Sequence, residues 1–139
     1  MKLIIAGSRD LEVTNHFIDA VIRTQFDLDP SEIVSGHCPT GVDKAGEEWY
    51  FYRRNPEHGA CLNLTNQFKM ALSVFKADWD KNGKAAGPIR NLAMAEYADA
   101  LLLIWDGESK GSANIKKEML KLNKPVYELI IKKYNINDT

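Results

Sequence analysis

Cysteine is scarce in this chain: its 139 residues contain two, Cys38 and Cys61, and they form no CxxC pair. Two thiols in a chain of this size exclude a disulfide framework and point to a reducing compartment. An excess of basic residues is also absent. Eighteen Lys and Arg stand against nineteen Asp and Glu, a net charge of −1. That balance argues against a protein held to nucleic acid mainly by a basic face. No apolar run approaches the roughly 20 residues of a membrane span. The apolar stretch within Met1–Gly7 is too short for a secretory signal and reads better as a strand. A cytoplasmic protein without membrane attachment is therefore expected. No GxGxxG follows the first strand, and GxxxxGK[ST] occurs nowhere. A standard dinucleotide-binding fold and a P-loop NTPase are both disfavoured. His37 beside Cys38, and His58 near Cys61, fall short of four suitably spaced ligands, so neither a metal nor a cofactor is expected.

What is present is a short apolar run, a glycine or polar stop and a helical stretch, repeated. Leu3–Ala6 ends at Gly7-Ser8-Arg9, and a continuous apolar strand is what a parallel sheet covered on both faces requires. Thr14 is placed to cap a helix carrying Phe17, Ile18, Val21, Ile22 and Phe26 on one face. Glu32–Ser35 forms a second strand, and a helix from about Val42 to Arg54 stops at Asn55-Pro56. Ala71–Phe75 suits a third strand, followed by a polar loop from Lys76 to Gly87. Pro88 then opens a helix with Ile89, Ala93 and Tyr97 on one side. Ala100–Trp105 is the most apolar run and reads as the central strand. Ser112 is placed to cap a helix carrying Ile115, Met119 and Leu122, and Pro125–Leu129 is the fifth strand. The alternation predicts an α/β fold: an open parallel sheet of about five strands in order 3-2-1-4-5, with right-handed crossovers. With no repeat or linker, residues 1–139 read as one domain, with an insertion at about 55–70 and a short tail from Ile130.

In such sheets ligands bind beyond the carboxyl ends of the strands, where the strand order reverses. The small and polar residues gather there: Gly7, Ser8 and Arg9; Gly36, Thr40, Gly41 and Asp43; Gly87, Arg90 and Asn91; then Asp106, Gly107, Ser109, Gly111 and Ser112. Helix N-termini present free N–H groups, and glycine lets backbone approach an anion closely. Ser109 and Ser112 add donors, Arg9 and Arg90 can fork onto phosphate oxygens, and Asp43 or Asp106 can accept from sugar hydroxyls. The set suits a ligand carrying phosphate or pyrophosphate and a sugar. Plain structural roles compete with this: turns for the glycines, an ion pair of Arg90 with Glu96 or Asp99, and a helix-dipole role for Asp43, while Trp79 and Trp105 read as packing residues rather than base-stacking platforms.

Four blocks, MKLIIAGSRD at Met1–Asp10, VSGHCPTGVD at Val34–Asp43, ADWDKNGKAAGPIRN at Ala77–Asn91 and MAEYADALLLIWDGESKGS at Met94–Ser112, together resemble the DUF2493 branch of the SLOG superfamily. Its relatives include the LOG proteins and the DNA-processing protein DprA. The resemblance spans about residues 1–54 and 71–129. It implies a Rossmann-like sheet and a pocket for a nucleotide-derived ligand, such as a nucleotide sugar or an ADP-ribose-like molecule. The LOG block PGGxGTxxE is not present; Gly107–Ser112 occupies a comparable place, with Glu118 further along.

Three functions are thus in play. The first is a sensor or binding domain for a nucleotide-derived ligand. The second is a hydrolase cleaving an N-glycosidic or phosphate-ester bond, with Asp43 or Asp106 as the catalytic carboxylate. The third, which the charge balance disfavours, is DprA-like binding of single-stranded DNA. Relatives of the resembled fold often pair, so apolar residues in 55–70 or the tail are available to a homo-oligomer.

Overall fold

A computed structural model describes residues 1–55 and 69–132. The chain alternates β1 (Lys2–Gly7), α1 (Asn15–Ala20), β2 (Glu32–Ser35), α2 (Gly41–Arg54), β3 (Ala71–Val74), α3 (Trp79–Asn82), α4 (Ala86–Tyr97), β4 (Ala100–Trp105), α5 (Lys110–Lys121) and β5 (Val126–Ile130). All neighbouring strands pair in parallel, in the order β3-β2-β1-β4-β5. This is the expected α/β, Rossmann-like sheet. Most of the expected insertion, with His58 and Cys61, and most of the tail lie outside the described residues.

Period-two alternation explains how the sheet is covered on both faces. Leu3, Ile5, Leu102 and Ile104 point to one face, where they meet Ile18 of α1, Ile22 of the turn that follows it, and Val42, Ala45 and Trp49 of α2. Ile4, Ala6, Leu101, Leu103 and Trp105 point to the other, against Met94 and Ala95 of α4 and Ile115 and Met119 of α5. Every residue of β4 is buried, which is why that run carries no polar side chain but the indole N–H of Trp105. That N–H donates to Glu128 at 2.7 Å. Truncating a fully buried leucine such as Leu102 to alanine is worth about 2–5 kcal/mol.

Local chemistry sets the helix ends. Thr14 accepts from the backbone N–H of Phe17 at 3.1 Å, the expected cap. The helix then widens into a π turn over Val21–Gln25, closed by Phe26 N–H on the carbonyl of Val21 at 3.1 Å. Asn123, at φ +56°, takes the left-handed position that ends α5.

Three expectations are corrected. The polar stretch after β3 is not all loop, since α3 and a 3-10 turn at Gly83–Ala85 fill it. α4 starts at Ala86, so Pro88 sits third rather than first, still within the turn whose N–H groups lack helical partners. Its buried residues are Ala86, Gly87, Asn91, Met94 and Ala95, whereas Ile89 is 50% exposed. At α5 the cap is Ser109, which accepts from Ser112 N–H at 3.5 Å. Ser112 is instead inside the first turn.

Candidate functional site

The order reverses between β1 and β4, each of which passes its chain to a helix on a different face of the sheet. Beyond their carboxyl ends opens a cavity of about 470 Å³. Nine of the expected residues line it: Gly7, Arg9, Gly36, Asp43, Arg90, Asn91, Ser109, Gly111 and Ser112. Ser8, Thr40, Gly41, Asp106 and Gly107 do not.

Several of those outside the lining build the walls. The Ser8 hydroxyl, buried, accepts from Asp106 N–H at 3.1 Å, tying the β1 and β4 loops together. Gly41 has φ +73°, and a Cβ there would overlap the backbone of Ser8 and Arg9. Only glycine lets the start of α2 close against the β1 loop. Asp106 turns its carboxylate back on its own loop, accepting from Glu108 and Ser109 N–H at 2.9 Å each. Those bonds hold its carboxyl below the ordinary range. Gly107, at φ +85°, completes that turn. Thr40 stands exposed at the N-cap of α2 without a side-chain capping bond.

Asp43 behaves oppositely. It sits in the first turn of α2, where the helix N-terminus favours a carboxylate. Burial outweighs that and raises its pKa from 3.8 to about 6, against the pull of the Cys38 N–H and the Arg90 charge. Cys38 N–H donates to it at 3.3 Å. Glu47, one turn along α2, pushes in the same direction as burial. Arg90 donates to the Gly36 carbonyl at 2.6 Å and to Asn91 at 2.9 Å. A Cβ on Gly36 would come within 2.6 Å of the Arg90 guanidinium, so a larger residue there would displace that side chain. Asn91 in turn donates to Asn114 at 2.9 Å and to the Gly111 carbonyl at 3.3 Å. One continuous polar chain thus runs from the β2 loop through α4 to α5. The competing pairing of Arg90 with Glu96 or Asp99 is not what forms; Asp99 accepts from Lys2 N–H at 2.7 Å.

At the start of α5 the Ser112 hydroxyl is buried and has no hydrogen-bond partner among the described residues. A buried hydroxyl without a partner is uncommon, because desolvation is left uncompensated. It lies beside the free N–H groups of the helix and lines the same cavity as Arg9. Arg9 is exposed and makes no hydrogen bond or ion pair among the described residues.

The sequence reading left out several contributors. His37, at φ +61°, hydrogen-bonds Glu47 at 2.9 Å, while the Ser35 hydroxyl donates to the same carboxylate at 2.7 Å. The i, i+4 spacing of Asp43 and Glu47 on α2 was the available signal. Lys76, Ala77 and Trp79 form a further wall from the segment after β3. Trp79, expected to pack, is 56% exposed, while Trp105 packs as expected. No group of three or more His, Cys, Asp or Glu side chains able to hold a metal occurs among the described residues.

Fold and cleft together define a parallel α/β protein with a polar cavity at its switch point, walled by two guanidinium groups, a buried carboxyl and a helix N-terminus. No family model, curated protein or solved structure matches the chain.

Proposed function

We propose that this protein binds a nucleotide-derived, phosphate-bearing ligand, of the nucleotide-sugar or ADP-ribose-like kind, as a sensor or binding domain. The observation that carries this is Ser112: a buried hydroxyl with no partner among the described residues, at the N-terminus of a twelve-residue helix, in the lining of a cavity that Arg9 and Arg90 also line. A phosphate oxygen at that helix start would accept from the free helix N–H groups and a guanidinium, with rotation of the Ser112 side chain adding its hydroxyl. The sequence resemblance to the SLOG superfamily supports the nucleotide-derived part of the reading. A cavity of about 470 Å³ suits a ligand of that size. Thermal-shift and calorimetric titration with AMP, ADP-ribose and a nucleotide sugar tests it. At a hundredfold excess over Kd, binding adds about 2.7 kcal/mol, a rise in Tm of roughly 8 °C for a domain of this size. The absence of a shift with any phosphate-bearing compound overturns the proposal.

Asp43 supports a second reading, hydrolysis of an N-glycosidic bond. A carboxyl that titrates near 6 and lines the cavity is suited to take a proton from water as that water attacks the anomeric carbon. The carbon–nitrogen bond breaks, and the same carboxyl returns the proton to the departing base. Release of free base from AMP by the wild type, lost in Asp43→Asn while AMP binding persists, supports this. No release by the wild type overturns it and leaves the binding reading intact.

A further inference from the structure

The molecule has three tryptophans, and two of them are fully accounted for. Trp49 is buried and donates its indole N–H to Asp19 at 2.9 Å. Trp105 is buried and donates to Glu128 at 2.7 Å. Trp79 differs in every respect. It opens α3, a helix of four residues, and is 56% exposed. Its indole makes no hydrogen bond and no ring contact among the described residues. Yet it lines the cavity that holds Asp43, Arg90 and Ser112.

The ring is nevertheless held from behind. A Cβ built on Gly87 would lie 3.4 Å from Cη2 of Trp79, so the far edge of the indole rests on the first turn of α4. Asp78 caps α3 by accepting from Lys81 N–H at 3.1 Å, which anchors the turn carrying the ring. The result is a flat π surface, backed at one edge and bare elsewhere, at one wall of a polar cavity. Leaving such a large aromatic surface in water forfeits the gain of burying it. A planar ligand group recovers that gain by stacking.

We propose that Trp79 is the stacking platform for the nucleobase of the ligand. This rests on the phosphate-binding reading above, and it gives the ligand a direction. The phosphate lies at the start of α5 against Ser112, and the base lies against Trp79. The chemistry of the two walls separates them: N–H and O–H donors at one, a π face at the other, with Lys76 also lining the cavity. Stacking alone does not choose among bases, since every base has a π face.

Calorimetry with ligands that do and do not carry a base tests the assignment. AMP, UMP and ADP-ribose carry one; ribose 5-phosphate does not. In the wild type the tightest base-bearing ligand is expected to bind about 5- to 150-fold more tightly than ribose 5-phosphate, the range of one base–aromatic stack. Trp79→Ala is expected to remove that advantage and leave ribose 5-phosphate binding unchanged. Trp79→Phe, which keeps a ring, retains most of it. Tryptophan emission should be quenched by the base-bearing ligands in the wild type and not in Trp79→Phe, because the other two indoles are buried. Equal binding of ribose 5-phosphate and the base-bearing ligands in the wild type overturns the platform while the phosphate reading stands. Equal weakening of both classes by Trp79→Ala also overturns it. If none of the four compounds binds, both proposals fall.

Discussion

The two ends of the sheet are made of the same material and finished differently. At the amino end of the strands several polar groups are tied down within the chain. Lys124 donates to the carbonyls of Ala95, Glu96 and Ala98 at 2.7, 3.0 and 2.7 Å, closing the end of α4. Asp99 accepts from Lys2 N–H, and the Lys2 ammonium lies 4.0 Å from the centre of the Tyr97 ring. Tyr97 and Ser73 both donate to Glu32. At the carboxyl end there are groups left over: a hydroxyl and a guanidinium with no partner among the described residues, a carboxyl lifted to about 6 and an exposed indole. A buried hydroxyl without a partner and a carboxyl raised by desolvation are maintained at some loss of stability. The contrast separates the end that holds the fold from the end that, in the reading proposed above, is kept for a ligand.

The largest test of that contrast is at Lys124. A cation on the last carbonyls of a helix satisfies orphan acceptors and opposes the negative end of the dipole. Lys124→Met keeps the aliphatic stem and removes the charged donor. Charge-assisted hydrogen bonds are worth about 1.5–3 kcal/mol, and partly exposed bonds sharing one ammonium do not add fully, so a loss of about 2–4 kcal/mol is expected. Urea unfolding measures it. Ligand affinity should not change. A loss below about 0.5 kcal/mol would mean that the amino end is not closed in this way.

Asp43→Asn is expected to move stability in the other direction, and only above mid-acid pH. The folded carboxyl has its pKa raised from 3.8 to about 6, so the native state holds the proton more tightly than the unfolded chain. Its contribution to stability is therefore fully present below about pH 4 and is lost as pH rises through 6. At one pKa unit per 1.36 kcal/mol, the ionised carboxylate destabilises the native state by up to about 3 kcal/mol. The asparagine variant should thus be about 1–3 kcal/mol more stable than wild type at pH 8 and equal to it at pH 4. Urea midpoints at pH 4, 6 and 8 check this. A wild-type chain that gains stability relative to the variant as pH rises would refute burial as the dominant influence on this group.

How far this contrast could be read from the amino acids depends on the kind of signal. The strand order and β4 were legible, because a run such as Ala100–Trp105 with no charge has only a sheet interior to occupy. The buried side of α4 was not. Hydrophobicity singled out Ile89, Ala93 and Tyr97, but near the cavity the helix buries Gly87 and Asn91, whose small size and hydrogen bonds suit the site. Ser109 and Ser112 are three residues apart in a glycine-rich turn, and either satisfies a capping pattern. Asp43 and Asp106 likewise look alike in sequence, each after a strand and near glycine. Only the fold distinguishes them: one is buried against the cavity and raised, the other is turned onto its own loop and lowered. Trp79 was unreadable for a related reason, since composition cannot say whether an indole packs inward or lines a cleft.

The smallest effect on stability is expected at Ser112, and it is the most discriminating. Removing a hydroxyl that has a partner lowers stability, because the partner is left desolvated and unbonded. The Ser112 hydroxyl has no partner among the described residues, so Ser112→Ala strands nothing. Its urea midpoint should lie within about 0.5 kcal/mol of wild type, and any shift should be toward greater stability. Affinity for a phosphate-bearing ligand should nonetheless fall about 2- to 10-fold, the worth of one hydrogen bond. A variant that loses stability and binding together would make Ser112 part of the scaffold, and the carboxyl end would then resemble the amino end after all. A variant that loses only binding keeps the two ends distinct, because a group that contributes nothing to the empty fold and something to the complex is held in place for the ligand.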